Sequence, residues 1–149
     1  MFEVDPLPYE GNDPYVFVSY SHDDRDDIHG EIRWLQDEGF NVWYDAGISG
    51  GTEWSEAIAR AIRGASRFIY FITPRSVNSE NCRRELNFAL EEQVSILAVH
   101  LEETEVPDGL RLNLNNRRAL FRYNDPSYRS NVAAALVTRA QLRTFNLGG

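Results

Sequence analysis

The chain of 149 residues contains no lysine; all 15 of its basic residues are arginine. A phosphate-binding P-loop needs a glycine-rich loop ending in Lys-Ser or Lys-Thr, so nucleotide-triphosphatase chemistry of that kind is excluded. A phospho-accepting receiver domain is excluded too, because it needs an aspartate ending the third strand and a lysine ending the fifth. Cysteine is nearly absent: Cys82 stands alone, so no internal disulfide can form. His22, His29 and His100 do not fall at metal-site spacings and are expected to be surface or structural residues. No apolar run is long enough to span a membrane, and the N-terminus lacks the basic-then-apolar pattern of a secretory signal. A cytoplasmic location without membrane association is therefore expected. The net charge is −8, with acids spread through Asp23, Asp24, Asp26, Asp27, Glu102, Glu103 and Glu105. Such a field repels duplex DNA, so no nucleic-acid partner is expected.

What is present is an alternation of short apolar runs. Met1 to Pro14, with prolines, Gly11 and Asp13 but no periodicity, reads as an irregular lead-in or linker. Residues 15–142 form one domain of ordinary size, and residues 143–149 a tail. Tyr15-Val-Phe-Val-Ser-Tyr20 predicts a strand; Ile28, Ile32 and Leu35 recur at helical spacing, closed by Gly39 as a C′ residue. The unit repeats with Asn41 to Tyr44 as strand and Trp54, Ile58, Ala61 and Ile62 as the inner face of a helix ended by Gly64. Arg67 to Thr73 encloses a run too apolar to alternate, as in a central strand covered on both faces. Ser79 is the expected N-cap of a third helix through about Glu92, with Cys82, Leu86, Ala89 and Leu90 on one side. Val94 to Leu101 reads as a fourth strand and Ala119 to Phe121 as a short edge strand. Glu102 to Arg118 reads as a loop with a helical turn, and Val132, Leu136 and Val137 as part of a last helix ending near Leu142. The alternation predicts an α/β, flavodoxin-like three-layer fold: a five-stranded parallel sheet of order 2-1-3-4-5 with helices on both faces.

In such sheets ligands bind beyond the carboxyl ends of the strands, where the strand order reverses, here between strands one and three. Ser19, Tyr20 and Ser21 end the first; Thr73, Pro74, Arg75 and Ser76 end the third. Glu85 lies about one and a half turns into the helix that starts beside them. An arbitrary glutamate there is a solvated residue paired with Arg83 or Arg84; the switch-point position is what raises Glu85 to a candidate. Gly47-Ile-Ser-Gly-Gly51 reads as a lid or an exposed turn. Cys82, aligned with Leu86 and Ala89, reads as packing rather than as a nucleophile.

Together, four segments carry a family resemblance over about Tyr15 to Arg139. Tyr15-Val-Phe-Val-Ser-Tyr-Ser21 resembles the opening strand motif of Toll/interleukin receptor (TIR) domains of the bacterial type. Phe40-Asn-Val-Trp-Tyr-Asp45 is similar to their second strand with its terminal aspartate, and Gly47 to Trp54 to their BB loop. Ser76-Val-Asn-Ser-Glu-Asn-Cys-Arg-Arg-Glu85 resembles the Ser, Ser, Cys and Glu pattern around the catalytic glutamate of TIR enzymes. Where many members carry an aromatic residue before the cysteine, this chain has Asn81, a departure at the nucleotide pocket.

The resemblance implies an enzyme that cleaves the nicotinamide–ribose bond of NAD by hydrolysis or cyclisation, with Glu85 catalytic. It implies NAD as substrate rather than cofactor, no metal, and substrate contacts from Tyr20, Ser21, Ile48, Ser49, Ser76, Asn81 and Cys82. Arg75 or Arg84 would supply positive charge to the pyrophosphate. It also implies homotypic TIR–TIR association, activation by a sensor domain or partner subunit, and a setting in bacterial immune signalling or antiviral defence. The alternative reading is a non-catalytic interaction module that assembles with other TIR domains, since one fold serves both. A third is a nucleoside deoxyribosyltransferase-like enzyme, which also sets a glutamate at a glycosidic bond.

Overall fold

The computed structural model describes residues 6–45 and 55–137. Five strands, β1 (Val16–Ser19), β2 (Val42–Tyr44), β3 (Arg67–Ile72), β4 (Ile96–His100) and β5 (Arg118–Phe121), pair in parallel in the order β2-β1-β3-β4-β5. The expected sheet is therefore the observed one. Among the described residues, four α-helices connect successive strands, α1 (Arg25–Asp37), α2 (Glu56–Gly64), α3 (Glu80–Glu91) and α4 (Asp108–Leu114), and a fifth, α5 (Tyr128–Leu136), follows β5.

The period of two along the strands divides the core. Ile69 and Phe71 of β3 join Val16 and Val18 of β1 beneath Ile28, Ile32 and Leu35 of α1 and Val132 and Leu136 of α5. Phe68, Tyr70 and Ile72 face the other way, onto Ile58 and Ile62 of α2, Leu86 and Ala89 of α3 and Leu110 of α4. Because β3 is buried on both faces, its sequence shows an unbroken apolar run.

Helix ends follow local chemistry. The Ser79 hydroxyl accepts from the Cys82 amide at 3.3 Å, capping α3 as its sequence predicts. Gly39 has φ +94°, and the Phe40 amide bonds the Leu35 carbonyl while that of Gly39 bonds Gln36, closing α1 in a Schellman turn. A Cβ at Gly39 would meet nothing within 4 Å, so its substitution is purely a backbone test. Gly39→Ala is expected to cost about 1 kcal/mol. The check is a lower urea midpoint at unchanged slope; an unmoved midpoint would refute it.

Two segments differ from expectation. The stretch expected as a loop with one helical turn contains the two-turn helix α4. Pro107 gives it no side-chain cap and Leu110 is its one buried residue, so its sequence signal is weak. α5 stops at Leu136, with Val137 already extended, short of the expected end near Leu142, which lies outside the described residues. The lead-in is irregular and bonded to the domain: the Tyr9 backbone amide donates to the Val42 carbonyl at 2.8 Å, the Gln36 side-chain amide to the Leu7 carbonyl at 2.9 Å, and the Tyr44 hydroxyl to the Pro6 carbonyl. Residues 6–9 are thus tied to β2 and α1, and Tyr9 occupies the Val42 carbonyl, a backbone group that an edge strand would otherwise expose. Among the described residues, no helix is long and apolar enough to cross a membrane.

Candidate functional site

Parallel strands place their following loops at one end of the sheet, and there β1, β3 and the start of α3 enclose a cleft of about 520 Å³. Tyr20, Ser21, His22 and Asp23 line it from the β1 side, Asp45 from β2, Pro74 and Arg75 from β3, and Asn78, Ser79, Asn81 and Glu85 from the α3 side. The switch point inferred from the strand order is thus a real concavity, of a size typical for small-molecule sites.

Glu85 is the buried carboxyl of this cleft, 8% exposed on the inner side of α3. Neither expected arginine reaches it: the Arg83 guanidinium donates to the Val77 carbonyl at 3.1 and 3.2 Å, and Arg84 is exposed. Instead the Ser19 hydroxyl, from the last residue of β1, donates to Glu85 Oε1 at 2.7 Å. Burial dominates the electrostatics and pushes the Glu85 carboxyl up to about 8, the Ser19 bond opposing this and the Asp45 charge adding to it. A carboxyl in a cleft whose proton is released near neutrality is suited to acid–base or charge-stabilising chemistry.

A second cluster braces the rim. The Thr73 hydroxyl donates to Asp24 Oδ2 at 2.6 Å, and Arg75 bonds Asp24 with Nε and Glu102 with Nη2. The loops after β1, β3 and β4 are thereby tied to one another. Arg75, expected to face a pyrophosphate, lines the cleft with its charge already shared between two carboxylates; Arg84 is not among the lining residues. Asp24 was hidden in an acidic run that looks uniformly solvated, yet it is the buried member of Asp23, Asp24, Asp26 and Asp27.

The remaining candidates separate. Tyr20 lines the cleft and donates its hydroxyl to the Asp45 carbonyl at 2.9 Å; burial raises its pKa. Ser21 lines it and caps the short helical turn at His22–Asp24, accepting from the Asp23 amide. Asn81, in the position where an aromatic was considered, also lines it. Ser76 does not: it is fully buried, its hydroxyl accepting from the Thr73 amide at 2.9 Å, so it shapes the turn after β3. Cys82 is likewise fully buried, packed with Leu86 and Ala89, and burial pushes its thiol up to about 12, which leaves it unreactive at neutral pH. Ile48, Ser49, the rest of the Gly47–Gly51 loop and Trp54 lie outside the described residues. Sequence reasoning passed over His22, which lines the cleft with its ring 5.2 Å from that of Tyr20. His29 is buried against Tyr44, and His100 stacks on Phe121. Among the described residues, no group of three or more His, Cys, Asp or Glu is arranged to hold a metal ion.

A family model described as TIR domain matches residues 16–137. No curated protein matches the sequence significantly. Among solved structures, the chain is similar to the TIR domain of the Toll-related receptor TRR-2 from Hydra magnipapillata, at 22% identity and TM-score 0.64, covering 80% of this chain and 95% of that one. It is similar to the Clostridium botulinum CMP N-glycosidase BcmB, at 17% identity and TM-score 0.55, covering 80% and 98%. The third is the TIR domains of the activated Roq1 resistosome bound to the pathogen effector XopQ, at 18% identity and TM-score 0.51, covering 84% and 72%. At these identities the likenesses describe the fold.

Proposed function

The chain belongs to the TIR domain family, and from that premise we propose that it cleaves the nicotinamide–ribose bond of NAD, by hydrolysis or cyclisation, with Glu85 as the catalytic carboxylate. The observation that carries this reading is a buried carboxyl, held by one serine hydroxyl, at the carboxyl end of the sheet and lining an open cleft.

The chemistry suits a single carboxylate. Ordinary glycoside cleavage needs a second acid to protonate the leaving oxygen. Nicotinamide is instead bound as a cationic ring whose nitrogen takes both electrons of the C–N bond from the ribose carbon, so it leaves neutral, without a proton. Glu85 then has one task, to stabilise positive charge growing on the ribose until water or a nucleophile within the substrate closes on it. Tyr20, Ser21 and Asn81, which line the cleft, would contact ribose and phosphate. Self-association through TIR–TIR contacts and control by a sensor domain or partner subunit, in immune signalling, belong to the same proposal; TIR domains occur within the Roq1 assembly. The direct test incubates concentrated protein with NAD and follows nicotinamide; none released under any assembly condition would defeat the enzymatic reading and leave the interaction module.

One observation favours a second reading. A carboxyl that keeps its proton up to about pH 8 could protonate the neutral base of a nucleotide, the kind of bond cleaved by an N-glycosidase such as the BcmB relative. The pH profile separates the two. With NAD the carboxylate is the active form, so kcat/KM should rise with pH through about 8, while kcat titrates lower because the bound cationic ring favours ionisation. Acid catalysis on CMP would instead make kcat/KM fall above about pH 8. Offering NAD, CMP and a deoxynucleoside in parallel, with products separated by chromatography, gives the assignment.

A further inference from the structure

We infer that Ser19 is a positioning residue: its hydroxyl fixes Oε1 of Glu85 so that Oε2 is the oxygen presented to the cleft. Ser19 is 1% exposed and ends β1; it pairs with Tyr70 of β3, and Val18 before it pairs with both β2 and β3, so its backbone has little freedom. Its Oγ lies 2.7 Å from Glu85 Oε1. Among the described residues, no buried side-chain oxygen or nitrogen lacks a partner, so the second oxygen of Glu85, which no described group bonds, is the one in contact with the cleft. When Glu85 is protonated, Oε1 is occupied as an acceptor and the proton resides on Oε2, facing substrate. When Glu85 ionises, the Ser19 bond becomes charge-assisted: none of the groups coupled to it, Asp45 after β2, Tyr20 after β1, Tyr70 on β3 and Cys82 on α3, is a cation, and of His22, Asp23 and Arg75 across the cleft, the arginine is paired with Asp24 and Glu102. The thiol of Cys82 is neutral, so it does not compete as an anion for the serine proton.

This inference rests on the NAD reading only for its effect on turnover; the Glu85 titration tests it separately. The variants are Ser19→Ala, Ser19→Cys, which fills the same space with a weak donor, and Ser19→Thr, which keeps the hydroxyl. Alanine and cysteine are expected to lower kcat roughly 10- to 100-fold with KM nearly unchanged, and to move the acid limb of kcat/KM to higher pH. Threonine is expected to retain most of kcat. A hydroxyl that merely filled space would be replaced fully by cysteine, and wild-type kcat in Ser19→Cys would overturn the assignment. Carbon-13 NMR of labelled glutamates, with Glu85→Gln identifying the signal, should show the Glu85 titration displaced upward in Ser19→Ala; an unmoved titration also overturns it. If the wild-type protein releases no nicotinamide, the NAD reading falls and the titration still decides the role of Ser19.

Discussion

Glu85→Ala is expected to reduce nicotinamide release from NAD by on the order of 10³-fold, with a much smaller change in KM. The size follows from what the carboxylate would supply: a full negative charge, on a buried group held by Ser19, at the atom where positive charge develops. Such preorganised charges matter most in the transition state, so the loss belongs in kcat. Glu85→Gln should be nearly as inactive, because the amide keeps the shape and still accepts from Ser19 but cannot ionise. Equal turnover by wild type and either variant would remove Glu85 from its role.

The same pair of variants carries an opposite expectation for stability. Burial pushes the folded carboxyl up to about 8, against an ordinary value of 4.5 in the unfolded chain. Between these limits the folded state holds a proton that the unfolded state has lost. The stabilising contribution is therefore complete below about 4.5 and disappears as pH rises through about 8. At pH 8 and above, folding must bury a charge, and Glu85→Gln should be the more stable protein, by no more than about 5 kcal/mol. Toward pH 5 the difference should close. Thermal melts of both proteins across this range provide the check; a constant offset would mean that the Glu85 titration does not govern it. Stability given up at a reacting group is the expected direction of the trade.

How far the sequence reaches is instructive at particular residues. The sheet was legible because parallel strands buried on both faces leave unmistakable apolar runs, and because Gly39 and Ser79 mark helix ends by chemistry that needs no tertiary context. Glu85 was legible by topology, since strand order alone puts the start of α3 at the switch point. What was not legible is partner choice across long separations. Ser19 and Glu85 are 66 residues apart, Asp24 and Thr73 are 49 apart, and nothing local distinguishes Ser19, which meets the carboxylate, from Ser76, which turns inward to its own loop. For the same reason Arg83 and Arg84 looked like natural partners for Glu85, although one bonds a carbonyl and the other faces solvent. Burial, the cause of the raised pKa, is a property of the assembled layers rather than of any segment.

Glu31 is the clearest instance of partner choice across long separations and carries the largest expected loss of stability. It lies on α1, 4% exposed, and its carboxylate accepts from Tyr128 Oη at 2.5 Å and from Arg122 Nη1 at 3.0 Å. Arg122 also holds Asp27 through bonds of 2.7 and 2.8 Å, which keeps the Asp27 carboxyl below its usual range. One acidic side chain thus joins α1 to the segment after β5 and to α5, across more than ninety residues of sequence. Glu31→Ala would strand the buried Tyr128 hydroxyl and remove one of the two carboxylates around Arg122. Breaking a buried ionic contact by deleting one partner costs about 3–5 kcal/mol, and the partial exposure of Arg122 with its remaining bonds to Asp27 places this case near the lower end. About 3 kcal/mol corresponds to a fall in melting temperature of roughly 10 °C for a domain of this length. Glu31→Gln, which still offers Tyr128 an acceptor, should lose distinctly less. A double-mutant cycle with Tyr128→Phe should show that the two residues are coupled, and hydrogen exchange should locate the loss of protection in α5. Additive effects in that cycle, or unchanged protection of α5, would mean that the helix is held by Val132 and Leu136 alone.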